Sequence, residues 1–184
     1  MEFASPEAKE AILAALAAQD KTYPVIPDPQ DATKPKIFKY GTAGFRTVGA
    51  HLERVCFRVG ILVALKAKLT TLGGVMITAS HNLKVDNGVK IMESDGAMLD
   101  QAWEPLAEQL ANAPDIRAAL EALDGSEEKI KYGFQETIFA ESSFATVCFG
   151  HDTRETSPAL EKAAMEGCKL MGVKPVSHGL CTTP

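Results

Sequence analysis

The segment that most constrains this fold is a short run with no polar interruption. Val75-Met76-Ile77 is apolar at every position, follows Gly73-Gly74 and opens directly into a polar turn. A strand that shows one face to water alternates apolar and polar residues, whereas one that is apolar throughout is buried on both faces, as in a parallel sheet. Val147-Cys148-Phe149 is a second such run. Parallel neighbours require a long crossover, usually helical, and this chain has helix-period segments between its candidate strands.

The helical segments carry recognisable start signals. Ser5-Pro6-Glu7 predicts a helix to about Gln19, with Ser as cap, Pro at the first position and Glu at the positive dipole end. Residues 20–36 hold Pro24, Pro27, Pro29 and Pro35 and predict an extended connector. Apolar spacing predicts a helix from His51 to Leu69, ended by Gly73-Gly74, and another from Asp100 through Trp103, Leu106 and Leu110. Further helices are expected from Pro114 to Leu123 and from Ser157-Pro158 to Met171, the latter with Ser157 as its cap. Strands are expected at Ile37–Tyr40, Val89–Met92 and Val173–Val176. The fold class is α/β, with at least part of the sheet parallel.

At 184 residues the chain suits one domain, 1–184, in which 1–36 form an N-terminal helix and a Pro-rich connector. Nineteen Lys and Arg against 24 Asp and Glu give a net charge of -5. That balance does not suit nucleic acid, which calls for a basic face, but leaves room for a small anion held by local cations. Cys56, Cys148, Cys168 and Cys181 form no CxxC pair, so neither a zinc site nor a disulfide framework is expected. No leader pattern is visible at Met1, and no run approaches 18 apolar residues. The expectation is a soluble, cytoplasmic protein without membrane partners.

In open α/β sheets ligands collect where loops leave the carboxyl ends of strands. Three compact polar segments are candidates: Gly41 to Arg46, Thr78 to Asn87 and His151 to Arg154. The middle one is the most informative. A buried strand delivers Thr78-Ala79-Ser80-His81-Asn82 to its own edge, Asp86-Asn87-Gly88 turns the chain back, and Lys90 follows. A hydroxyl among His, Asn and Lys donors suits an oxyanion such as phosphate. It suits acyl transfer less, because an adjacent His reaches poorly back to its neighbour's hydroxyl and no G-x-S-x-G elbow is present. Alone, Ser-His-Asn is an ordinary turn, Arg46 and Lys90 are ordinary surface cations, and Asp152-Arg154 is a local ion pair or turn stabiliser. His51, His151 and His178 lack metal-ligand spacing.

Together, Tyr40-Gly-Thr-Ala-Gly-Phe-Arg46, Ile77-Thr-Ala-Ser-His-Asn82, Asp86-Asn-Gly-Val-Lys90, Asp152-Thr-Arg154 and Gly179-Leu-Cys-Thr-Thr-Pro184 occur in the order and spacing of the α-D-phosphohexomutases. Over nearly its whole length the chain resembles the first domain of that family. Gly96 to Ala113 points to the branch acting on N-acetylglucosamine phosphates. The resemblance implies a layered α/β/α domain with a mixed, partly parallel sheet. It also implies a phosphoserine at Ser80 that exchanges its phosphoryl group with a phosphosugar through a bisphosphate. The net reaction would interconvert N-acetylglucosamine 6-phosphate and N-acetylglucosamine 1-phosphate, towards UDP-N-acetylglucosamine. By the same resemblance, Mg²⁺ contacts the phosphate on Ser80. His81 and Lys90 donate to that group, Arg46 and Lys90 sit near the attacking hydroxyl, and Arg46, Asn82 and Lys90 bind substrate.

Leu83 stands where the family commonly has Pro, and His151 where many members have Arg. No Asp-x-Asp-x-Asp metal loop occurs in the 184 residues. The family's metal-, sugar- and distal-phosphate-binding domains are expected beyond these residues. The chain is therefore read as a fragment or shortened form that does not turn over alone. The competing readings are a non-catalytic phosphosugar-binding or regulatory module derived from a mutase, and a serine hydrolase, for which no triad can be argued.

Overall fold

A computed structural model describes residues 5–134, 138–139 and 142–182. Among them are six α-helices: α1 (Pro6–Asp20), α2 (Glu53–Thr70), α3 (Glu104–Asn112), α4 (Ile116–Gly125), α5 (Glu128–Lys131) and α6 (Ser157–Leu170). Five strands make one sheet: β1 (Phe45–Val48), β2 (Leu72–Ile77), β3 (Asp86–Met92), β4 (Thr146–His151) and β5 (Lys174–Leu180), in the order β1-β3-β2-β4-β5. β2, β4 and β5 are parallel, and β3 runs antiparallel between β1 and β2. The α/β class and the mixed, partly parallel sheet are as the sequence implied. The two apolar runs are central: Val75, Ile77, Val147 and Phe149 are all within 1% of full burial.

Two helices cover the sheet core. α2 buries Val55 to Ala67 without a break, because it packs on strands and on other helices at once. It crosses α6 at very close range. A Cβ on Gly60 would lie 1.8 Å from Ala164 O, and one on Gly167 would lie 2.0 Å from Phe57 O, so only glycine allows the two backbones to meet. α1, α3 and α4 pack outside this pair. They are tied to it by Arg58, whose side chain is 1% exposed. Arg58 donates from Nε and Nη2 to Asp20 and from Nη1 to the carbonyls of Leu110, Ala111 and Ala113 at the end of α3. Burial alone would raise the Asp20 carboxyl, but hydrogen bonds from Arg58 and Arg54 hold it below the ordinary carboxylate range.

Three expectations need correction. Ile37–Tyr40 is extended but pairs with no strand. Its Phe38 N–H and carbonyl bond the Asn112 side chain, and Tyr40 N–H donates to Glu108 Oε1, so helix side chains replace a ladder. The first strand of the sheet is Phe45–Val48 instead. Gly73 and Gly74 do not break α2; they lie inside β2, and the helix ends at Thr71, whose φ is 69°. Ser157 does not cap α6, since Thr156 holds the cap position and the Ser157 hydroxyl turns to Asp152. The remaining expected elements are present, but β2 and β3 each begin three residues earlier than expected, β5 runs on to Leu180, and a 3-10 turn over Gln101–Trp103 precedes α3. All four cysteines are free, and burial pushes the Cys168 thiol up to about 12. No helix among the described residues is long and apolar enough to cross a membrane. Of the motif ending at Pro184, Thr183 and Pro184 lie outside the described residues, as do Met1 to Ala4.

Candidate active site

β2 and β4 are parallel and in register, Ile77 beside His151, so the segments that leave them emerge side by side. From β2 the chain enters the turn that holds Ser80. Ala79 is fully buried, whereas Ser80 and His81 are exposed. Ser80 lies at the mouth of a cleft of about 800 Å³, lined also by Asn82, Lys84, Thr153, Arg154 and Cys181. The 79–86 segment is curled by Asn82 N–H to Ala79 O at 2.8 Å and Asp86 N–H to Leu83 O at 3.0 Å.

Arg46 reaches this turn from β1, donating from Nη1 to Asn82 Oδ1 at 2.8 Å, while Asn82 Nδ2 donates to Asp86 Oδ2 at 3.1 Å. Both ends of the Asn82 amide are thus engaged in holding Arg46 to the loop. Arg46 pairs with Gly88 across the β1–β3 ladder, and Lys90 lies two residues further along β3. The two cations are diagonal neighbours on one sheet face, a relation that brings long side chains within reach of one another. Gly88 is needed between them, because a Cβ there would meet Thr78 O at 2.7 Å. Ser80, His81, Asn82 and Arg46 are therefore brought to one edge, with Lys90 a step inward, opposite Met76.

The Gly41–Gly44 turn sits elsewhere than expected. It enters β1 instead of leaving a strand, because the extended 37–40 segment is not in the sheet. Gly41 and Gly44 close on each other through Gly44 N–H to Gly41 O at 2.8 Å. Gly44 has φ +79°, and a Cβ on it would lie 2.1 Å from Val89 O. The turn rests against β3 and sets the register of Arg46; it is not a loop at the carboxyl edge.

Behind Ser80 lies a polar cluster wider than the local ion pair or turn stabiliser expected of Asp152 and Arg154. Asp152 accepts from Ser157 Oγ at 2.7 Å, Thr78 Oγ1 at 2.9 Å, Arg154 N–H at 3.1 Å and Arg154 Nε at 3.2 Å. Burial opposes its charge, but these bonds, led by Ser157, keep its carboxyl below the ordinary range. The Arg154 guanidinium also donates to the carbonyls of Ala79, Asn82, Leu83 and Asp86, so it lies inside the curl of the Ser80 loop. The available signal was the Asp-Thr-Arg spacing after a buried strand parallel to the one bearing Ser80. The two departures from the family pattern are also placed. Leu83 is exposed and contributes its carbonyl to Arg154. His151 has Nδ1 2.8 Å from Asp152 O and Nε2 3.9 Å from Glu161.

A second cavity, of about 420 Å³, lies between the Pro-rich connector and α2; of its cations, Arg54 and Arg58 are committed to Asp20, Lys34 pairs with Asp31 and Lys36 donates to Thr47. Among the described residues no group of three or more His, Cys, Asp or Glu could hold a metal ion. Of the carboxylates near Ser80, Asp152 is filled by four donors and Asp86 bonds Asn82.

Residues 41–117 match the family described as phosphoglucomutase/phosphomannomutase, alpha/beta/alpha domain I. The human phosphoacetylglucosamine mutase is 42% identical over 149 residues, covering 80% of this chain and 26% of that protein. The Saccharomyces cerevisiae phosphoacetylglucosamine mutase is 40% identical over 160 residues, 83% of this chain and 28% of the relative. A crystal structure of Aspergillus fumigatus N-acetylphosphoglucosamine mutase in complex with GlcNAc-6P and magnesium superposes with a TM-score of 0.73 at 34% identity. It covers 97% of this chain and 29% of that one. The chain belongs to the α-D-phosphohexomutase family. As a phosphohexomutase domain it corresponds to the N-terminal part of these relatives and spans about a quarter of their length. The family match begins at Gly41 and so takes in the Arg46 strand, the Ser80 turn and Lys90 of this domain.

Proposed function

We propose that residues 1–184 form one domain that acts as the phosphoryl-carrying part of an N-acetylglucosamine-phosphate mutase, with Ser80 as the carrier. The observation that carries this reading is the exposed Ser80 hydroxyl on a turn pinned from behind by Arg154 and flanked by Arg46. In the forward step the bond between phosphorus and Ser80 Oγ breaks as one forms to a sugar hydroxyl, and the proton that the hydroxyl loses is balanced by the one that the freed Ser80 Oγ takes up. The bisphosphate then returns its other phosphoryl group to Ser80 Oγ, so that N-acetylglucosamine 6-phosphate and 1-phosphate interconvert. Such transfer asks the protein for alignment and charge stabilisation more than for covalent chemistry. Arg46, Lys90 and His81 supply cationic or N–H donors on the exposed side, and Asn82 orients Arg46.

Magnesium accompanies GlcNAc-6P in the Aspergillus structure. For this chain the donor set does not make a magnesium site by itself. A phosphate oxygen on Ser80 is the ligand this domain would contribute, and no step is assigned to the metal. The ligand is a small phosphosugar, and the setting is cytoplasmic, where four free thiols remain reduced.

The test is intact-mass measurement and fragmentation of the protein isolated from its natural source with phosphatases inhibited. One phosphoryl group on Ser80 is expected. Wild type incubated with glucose 1,6-bisphosphate should acquire the same group, and Ser80→Ala should acquire none while keeping its circular dichroism. Phosphate absent from Ser80 in both experiments overturns the proposal.

A further inference from the structure

We propose that Arg154 is the positioning residue of the phosphoryl-carrying loop: its guanidinium is the core around which residues 79–86 are wound, and it sets the orientation of Ser80. The inference rests on Ser80 being the carrier and goes beyond it to the group that holds the carrier in place. A guanidinium has five N–H donors in a rigid plane. In Arg154 each of the five has an acceptor. Nε donates to Asp152 Oδ2, Nη1 to the carbonyls of Leu83 and Asp86, and Nη2 to those of Ala79 and Asn82. The side chain is 11% exposed.

Two consequences follow from this saturation. First, Arg154 has no donor left for a ligand phosphate, although it lines the cleft beside Ser80. Its role is exerted through the loop. Second, the carbonyls on both sides of Ser80 and His81 converge on one point. Four carbonyl dipoles aimed inward repel one another unless a cation lies between them. A trans peptide sets its N–H opposite its C=O, so the Ser80 N–H, which shares a peptide with Ala79 O, points away from the guanidinium. The clamp therefore fixes the direction of the amide next to the phosphoryl-bearing oxygen. Lysine cannot substitute, because three donors from one nitrogen cannot span four carbonyls and a carboxylate.

The arrangement is anchored to the sheet. Asp152 follows directly after β4, and its carboxylate bonds Thr78 at the end of β2 and Ser157 at the start of α6. Asn87 Nδ2 donates to Thr156 Oγ1 and Ser157 Oγ, both at 2.9 Å, which ties the far end of the loop to the same helix. Arg154 thus transmits the rigidity of two parallel strands and one helix to an otherwise exposed turn.

The experiment compares wild type, Arg154→Lys and Arg154→Ala by amide hydrogen exchange and by phosphoryl labelling of Ser80 with glucose 1,6-bisphosphate. In both variants exchange across 79–86 should rise roughly tenfold or more, while β2, β4 and α2 keep their protection, which serves as the folding control. Labelling at saturating bisphosphate should slow by roughly a hundredfold with a nearly unchanged half-saturating concentration, the pattern of a displaced reacting atom. Methylguanidinium added to Arg154→Ala should restore both protection and labelling in part. Unchanged exchange at 79–86 overturns the clamp. A raised half-saturating concentration with unchanged maximal labelling makes Arg154 a ligand group and also overturns it. If wild type itself takes no label, the carrier reading fails and the positioning role with it, while the exchange data still decide whether Arg154 orders the loop.

Discussion

Arg58 offers the sharpest test of how this domain holds together. Its guanidinium neutralises Asp20 and ends α3 by donating to three of its terminal carbonyls, groups that no helix can satisfy internally. Arg58→Met keeps much of the side-chain volume and removes every donor. Breaking a buried ion pair from one side costs about 3–5 kcal/mol. The retained Arg54 contact, at 2.6 Å from Asp20 Oδ2, reduces that loss, but the orphaned carbonyls add to it. For a chain of this size each kcal/mol moves Tm by roughly 2–4 °C, so the expected drop is roughly 6–20 °C by calorimetry or circular dichroism. Replacing both partners, Asp20→Leu with Arg58→Met, should recover part of it, because no buried charge is then left alone and Arg54, 17% exposed, can turn to water. The pH dependence has a definite sign. Asp20 titrates below its unfolded value, so the pair contributes stability that is fully present above about pH 4 and is lost as pH falls. The deficit of Arg58→Met should therefore be larger at pH 7 than at pH 3, where the part due to the carbonyls of Leu110, Ala111 and Ala113 remains. A Tm within about 2 °C of wild type at pH 7, or a deficit that grows on acidification, would refute the reasoning.

Two smaller perturbations probe the site. Gly44→Ala adds a Cβ in the left-handed region and against Val89 O, so the unfolding free energy from urea titration should fall by roughly 2–4 kcal/mol at constant m, whereas Gly41→Ala, whose Cβ meets nothing within 4 Å, should change little. Equal effects at the two glycines would remove the close-approach argument. Ser157→Ala deletes the leading hydrogen bond to the Asp152 carboxylate, and the cost is about 1–3 kcal/mol in thermal unfolding at pH 7. Because Asp152 is held below its ordinary value, that cost should shrink as pH drops below about 4; a cost independent of pH would show that the bond does not act on the charged form.

What was legible in the sequence was what local pattern and burial jointly determine. Val75–Ile77 and Val147–Phe149 read as parallel strands because every position is apolar, although Cys148 is only half-buried, and α1 read correctly because Ser5, Pro6 and Glu7 each meet a local requirement of its first turn. Ile37–Tyr40 read as a strand for the same local reason, but its hydrogen bonds are taken by Asn112 and Glu108, about 70 residues away, and no local pattern reports that. Ser157 had the composition of a cap, yet Asp152 offered its hydroxyl a charged acceptor, and a charge-assisted bond is stronger than a neutral capping one. At the site, Ser80, His81, Asn82 and Lys90 were recognisable as a cluster because they lie within eleven residues. Arg46's contact with Asn82 and Arg154's with the loop span 36 and 68–75 residues, distances that only the strand order closes.

That strand order explains why the cations of this edge divide their work. Arg154 and Arg58 are both nearly enclosed, and both direct their guanidinium planes at backbone carbonyls, one at the winding of a loop and the other at the end of a helix. Such a group is saturated and cannot meet an incoming anion. Arg46 differs: it is exposed, lies on the short edge strand β1 and commits one N–H to Asn82 Oδ1. An exposed guanidinium held by one bond keeps donors for an incoming anion, while one held by five does not. On the proposed function, a ligand phosphate would meet the edge through Arg46, Lys90 and His81, and Arg154 would act on it only by fixing where Ser80 stands. Exchanging the two roles by substitution should fail: moving a guanidinium to the edge adds affinity without alignment, and removing the one inside the loop loses alignment that no added surface charge restores.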